Sequence, residues 1–222
     1  RAAELRAVST EYSRWVTAAQ TFRDKYFALP GDMPNATAFW GTTATCPGTS
    51  ASPSTNATTC NGDGDGLIDI STNANEPFRF WQHLANAALI EGNFTGVEFS
   101  GNSRSTGPGN APKGKVGNSY WLIEDGTANN AGNARYFQTI YGNYFMHGAL
   151  STNNPPALRL LTPPELWSID KKIDDGLPAR GKLLAYRHDE CTTSGGDPTV
   201  LSAEYLLNDN DIHCAVIFLQ AL

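Results

Sequence analysis

The chain has little charge and no long run of one sign: of its 222 residues only 17% are Asp, Glu, Lys or Arg. No stretch of Lys and Arg exceeds a pair, and with 22 acids against 16 bases the net charge is −6. A footprint for a phosphate backbone is therefore missing, and nucleic acid is not expected as a partner. No window approaches the roughly 18 uninterrupted apolar residues that span a bilayer. GxSxG, HExxH, a strand-borne GxGxxG and GxxxxGK[ST] are all absent, which leaves nucleophilic hydrolysis, zinc hydrolysis and nucleotide chemistry without a motif. The four cysteines include no CxxC, so the usual zinc and dithiol sites are missing too.

What is present suits a packed, exported domain. Hydrophobic residues make up 40% and aromatics 10%, spread along the chain, enough for one generous core or two small ones and too much for disorder. Thr, Ser, Asn and Gly dominate the polar set. The cysteines fall as two separated pairs, Cys46 with Cys60 and Cys191 with Cys214. Three connectivities remain open, as does the reading of four buried free thiols. Local pairing is the simplest, each bridge contributing roughly 3 kcal/mol through the unfolded state, and it implies an oxidising compartment.

Residues 1 to 28 hold no Gly or Pro. Leu5, Val8, Tyr12, Trp15, Val16, Ala19, Phe22 and Tyr26 recur at steps of three and four, the pattern of a long amphipathic helix. It is expected to stop at Leu29-Pro30-Gly31-Asp32. Arg1 opens inside the periodic pattern with no capping residue ahead of it, so the chain is expected to begin in the middle of a helix. Residues 41 to 75 form a long polar excursion. A second helix opens at Asn75-Glu76-Pro77 and is expected to close at Gly92. A third starts at Thr162 with Pro163, Pro164 and Glu165 in capping-box order, and runs to Gly176. Strands are expected near 119–124, 135–146, 182–188 and 213–219, so that Cys191 and Cys214 flank a loop between the last two. The composite is α+β: a long helix, two short helices and an antiparallel sheet.

Residues 61 to 72 read as a calcium loop. Asn61, Asp63 and Asp65 occupy positions one, three and five, Gly66 the sharp turn, the Leu67 carbonyl position seven and Asp69 position nine. Position twelve is Thr72, so the bidentate Glu is missing there, and Glu76 is the expected substitute. The alternative is an Asx-rich turn without metal. Asp170, Asp174 and Asp175 sit at the wrong end of the third helix's dipole, where nearby bases or the amides of the Gly176 turn would compensate them. Asp209 and Asp211 read as similar turn formers. His83, His147, His188 and His213 lack spaced metal partners. Tyr136, Phe137, Tyr141, Tyr144 and Phe145 are either sheet core or a sugar-stacking platform, and no pair among the acids is selected for glycoside hydrolysis. Asn35, Asn56 and Asn93 open N-x-T sequons, read as chance matches.

Several stretches together resemble the type IV pilin-like proteins, the pilins and the pseudopilins of type II secretion. They are Arg1-Ala-Ala-Glu-Leu-Arg6; Thr21-Phe-Arg-Asp-Lys-Tyr-Phe-Ala-Leu-Pro-Gly-Asp-Met-Pro-Asn-Ala36; Asn61-Gly-Asp-Gly-Asp-Gly66; Phe80-Trp-Gln-His-Leu-Ala-Asn-Ala-Ala-Leu-Ile-Glu-Gly92; and Ile169-Asp-Lys-Lys-Ile-Asp-Asp-Gly176 with Gly181-Lys182. The resemblance implies a pilin-like fold, with residues 1–29 as the lower half of the stalk helix and residues 30–222 as the head. It implies a Cys191–Cys214 bridge closing a C-terminal loop. It also implies a cleaved, methylated leader and about 25 apolar residues ahead of Arg1, anchoring the subunit in the bacterial inner membrane before assembly. The implied function is a non-enzymatic filament subunit, in a pilus or secretion pseudopilus outside the membrane, whose partners are other pilin or pseudopilin subunits met through the N-terminal helix. Major pseudopilins hold a structural calcium in a C-terminal loop, so Ca2+ at 61–76 would be analogous and not equivalent. The alternative function is an extracellular adhesion or carbohydrate-binding module.

Overall fold

In a computed structural model, the structure describes residues 1–42, 58–70, 75–99, 104–126, 135–150, 158–186, 188–219 and 222. Cys46, Asn56 and Thr72 lie outside the described residues.

Among the described residues, five helices and four strands follow one another as α1 (Ala2–Tyr26), α2 (Thr37–Trp40), α3 (Glu76–Asn86), β1 (Ser119–Asp125), β2 (Asn143–Ala149), α4 (Pro163–Ile173), β3 (Leu183–Tyr186), α5 (His188–Cys191) and β4 (Ala215–Phe218). The four strands form one sheet in the order β1-β2-β4-β3, antiparallel throughout. The expected α+β composition is therefore present.

Side chains alternate across the pleat, and both faces are covered. Ile123 pairs with Phe145, Phe145 with Phe218 and Phe218 with Leu183, a row that faces the helices. Tyr12 of α1 stacks on Phe218 at 4.2 Å, and Trp15 meets Trp81 of α3 edge-on at 5.4 Å. Phe80 and Trp81 reach Phe145 at 5.7 and 5.9 Å. The next row, Leu122, Met146, Ile217 and Leu184, faces the other way, where Tyr144 and Tyr186 pack with Tyr136 and Tyr141. Each large apolar side chain buried so contributes about 2 kcal/mol.

Strand expectations hold for β1 and β4 and for β3 as far as Tyr186, His188 instead opening α5, but the 135–146 run divides. Gly142 takes φ 56 and its carbonyl accepts from the Gly126 amide at 2.9 Å. The strand accordingly begins only at Asn143, and Tyr136 and Tyr141 reach the sheet face from a turn. Tyr136, Phe137, Tyr141, Tyr144 and Phe145 are all buried, so these rings are core and offer no platform to a sugar.

Helix ends also differ from the pattern. Pro30 disfavours helical backbone at the residue before it; α1 stops earlier still, with Phe27 in the left-handed region at φ 54. Likewise α3 ends at Asn86 and not Gly92, because Ala88 takes φ 57 and the Leu89 amide returns to the Leu84 carbonyl. The start of α4 is as expected: Thr162 accepts from the Glu165 amide, and Glu165 accepts from the Thr162 amide, a complete capping box. Glu165 also grips Arg1 through two hydrogen bonds of 2.6 and 2.8 Å, tying α4 to the start of α1. Cys191 and Cys214 are bonded, with Cα atoms 5.2 Å apart, and staple the β3–β4 connection. Cys60 is also disulfide-bonded.

Candidate metal centre in the acidic loop

The acidic loop does not fold on itself alone. It is laid across the turn that follows α1, and Asp32 of that turn is its organiser. The Asp32 carboxylate accepts the Gly64 amide at 2.6 Å through one oxygen and the Gly66 amide at 3.0 Å through the other. The approach is close enough to demand glycine: a Cβ on Gly62 would stand 2.4 Å from the Asp32 backbone. On the far side, Glu76 at the start of α3 is fully buried. Its two oxygens accept the amides of Asp63 and Asp69, each at 3.1 Å. Thus one carboxylate from each flanking segment threads the loop.

His83 completes the support. Its Nδ1 accepts the Gly31 amide at 2.9 Å, which leaves the ring proton on Nε2, 3.0 Å from the Thr59 hydroxyl. Burial and the nearby Arg79 charge push its pKa down to about 3, so it is a neutral strut. Phe22 stacks on its ring at 6.2 Å between centroids.

These contacts sort the expected ligands. Asp63 and Asp65 come together with Asp32, each offering a carboxylate oxygen within 4.8 Å of the others. Asn61 instead accepts the Thr37 amide through its side-chain oxygen at 2.9 Å, which holds α2 to the loop. Asp63 and Asp65 also cap local turns, accepting the amides of Asp65 and Leu67. Asp69 and Glu76 meet through the Asp69 amide and are not in the three-carboxylate group. Asp32 is the residue the sequence reading missed. It lies 31 positions before Asp63 in sequence, so a loop template that counts along one segment does not reach it, and the Pro-Gly-Asp turn signal was its only trace.

The electrostatics set a cost on negative charge at this place. Burial pushes the Asp32 carboxyl up to about 6, with Asp65 and Asp63 adding repulsion against the two amide hydrogen bonds. Burial likewise pushes Glu76 up to about 8, opposed by the Asp69 and Asp63 amides. Negative charge is costly here unless a proton or a metal ion offsets it. An all-carboxylate oxygen set fits a hard ion of the calcium type.

The other acidic groups are engaged by backbone. Asp174 accepts the amides of Lys182 and Leu183, Asp175 that of Leu177, and Asp170 that of Gly176 together with the Tyr205 hydroxyl at 2.7 Å. Asp209, Asp211 and His213 form a third, more exposed group. A Ser–His contact that the sequence did not flag joins Ser194 Oγ to His188 Nδ1 at 2.7 Å. Thr192 donates to the same Ser194 oxygen, and His188 lies stacked on Phe137 at 4.2 Å, the surroundings of an interior lock. No helix among the described residues is long and apolar enough to cross a membrane. No family model matches the chain, and neither does a curated protein or a solved structure.

Proposed function

We propose that the chain is a non-enzymatic structural subunit of an extracytoplasmic filament of the type IV pilus or type II secretion pseudopilus kind. The observation that carries this reading is the 25-residue helix α1, whose Tyr12 stacks on Phe218 of an antiparallel sheet while Trp15 packs on α3, with the Cys191–Cys214 bridge at the β3–β4 connection. In this reading α1 continues into a stalk through which subunits of the same kind pack, and an inner-membrane anchor precedes Arg1. The head, residues 30–222, fixes the spacing of neighbours and presents a surface. Calcium at Asp32, Asp63 and Asp65 would order a loop that has little apolar content of its own, adding its binding free energy to that of the folded head.

The coding sequence immediately ahead of Arg1 tests the filament reading. A short basic leader ending in Gly, followed by Phe-Thr-Leu-Ile-Glu and about 25 apolar residues, is the expected result. A signal peptide with a small-residue cleavage site in that place overturns it.

A further inference from the structure

The two ends of α1 carry opposite chemistry. Along its first half, α1 and residues 91–94 and 111–115 line a groove of about 600 Å3. Ala3, Ala7, Trp15, Phe94 and Pro112 give it an apolar floor. Arg6, Arg14, Lys113 and Lys115 line it, all four exposed to solvent. Two carboxylates also line it, Glu11 and Glu91. Glu11 accepts the Trp121 indole hydrogen at 3.0 Å and already lies in the field of Lys115 and Arg14. In a chain of net charge −6, a groove with four cations against two carboxylates reverses the prevailing sign.

At the other end of α1, Phe27 is 92% exposed and Phe39 55%. Thr37 of α2 donates its amide to Asn61, so α2, which carries Phe39, is held against the loop bearing the exposed Asp63 and Asp65. Apolar and acidic groups are thus brought to the same end of α1, the loop being held on the turn that follows it. That end lies roughly 20 Å along the helix axis from the groove, at 1.5 Å per residue.

We propose that a second copy of this chain seats its Phe27–Phe39 surface and acidic loop in the basic, apolar-floored groove beside α1. The two patches differ, so the contact is heterologous and repeats from copy to copy in place of closing a symmetric dimer. Charge complementarity selects the orientation and the rings supply the buried area. The inference rests on the filament reading for its biological sense, and it names a surface by which heads would meet.

Sedimentation velocity of the chain in EDTA, over a concentration series at low salt and at about 0.5 M salt, tests it. Expected is an association that does not saturate at two copies. It is weakened about tenfold by Lys113→Glu with Lys115→Glu, and equally by Asp63→Lys with Asp65→Lys, and it is restored when the two variants are mixed. Phe39→Ser, which leaves the loop's hydrogen bonds in place, weakens it as well, and circular dichroism checks that each variant is folded. A chain that stays monomeric, a mass that saturates at two, or a mixture that fails to recover overturns the proposal. The filament reading fails separately: a signal peptide ahead of Arg1 ends it whatever sedimentation shows, and a pilin-type leader with a failed charge swap removes only this contact.

Discussion

Phe27 is a large ring in nearly full solvent contact with backbone at φ 54, and its amide closes α1 on the Arg23 carbonyl at 2.8 Å. Left-handed backbone costs a non-glycine residue about 1–2 kcal/mol, and the position is the one where helices favour glycine. Phe27→Gly is therefore expected to stabilise the fold by about 0.5–1 kcal/mol after the entropy of glycine in the unfolded chain is counted. The urea midpoint measures this, and a lower midpoint would show that the ring supports the cap. In the same variant, self-association through the basic groove should weaken. Stability and assembly would then pull in opposite directions at one side chain, as happens when a residue is retained for its surface.

Among the elements, α4 is held by the most local rule. Its capping box joins Thr162 and Glu165, and Thr162→Ala is expected to cost about 1 kcal/mol, read as a fall in the chemical-denaturation midpoint. A neutral result would mean that the Arg1–Glu165 pair alone fixes the helix start. This box was legible from Thr162-Pro-Pro-Glu165, as were the apolar stripe of α1 and the cores of β1, β3 and β4, because each is written within a few consecutive residues. What the sequence hid is non-local. The role of Asp32 depends on a turn meeting a loop some thirty residues on. The end of α3 depends on Ala88 accepting left-handed backbone, against its own preference. The 135–146 run looked like one strand because its rings recur, yet Gly142 breaks it, and the burial of Tyr136 and Tyr141 comes from tertiary packing that no alternation pattern encodes.

For the whole molecule, pH acts on two opposed sets of buried groups. Burial raises Glu76 to about 8, Asp170 to about 7 and Asp32 to about 6, so the folded chain keeps protons that the unfolded chain sheds near pH 4. Stability falls as pH rises through that window. Burial lowers His83 and His147 to about 3, so below pH 6.5 the unfolded chain takes up protons that the folded chain refuses, and stability falls toward acid. In EDTA the melting temperature is expected to peak near about pH 5 and to decline toward pH 8. Millimolar calcium should flatten the alkaline decline, and Asp63→Ala with Asp65→Ala should restore it. A melting temperature in EDTA that climbs steadily to pH 8 would contradict the burial argument, and one indifferent to calcium would leave the loop an ordinary Asx-rich turn. The sheet that frames these groups has its own order of assembly. Among the described residues β4 is the last strand in sequence and lies between β2 and β3, and β3 pairs there with no other strand. While the chain is being synthesised, β1 and β2 can form a hairpin, but the sheet cannot close until residues 215–218 have left the ribosome. Up to that moment β3 lacks the strand it pairs with.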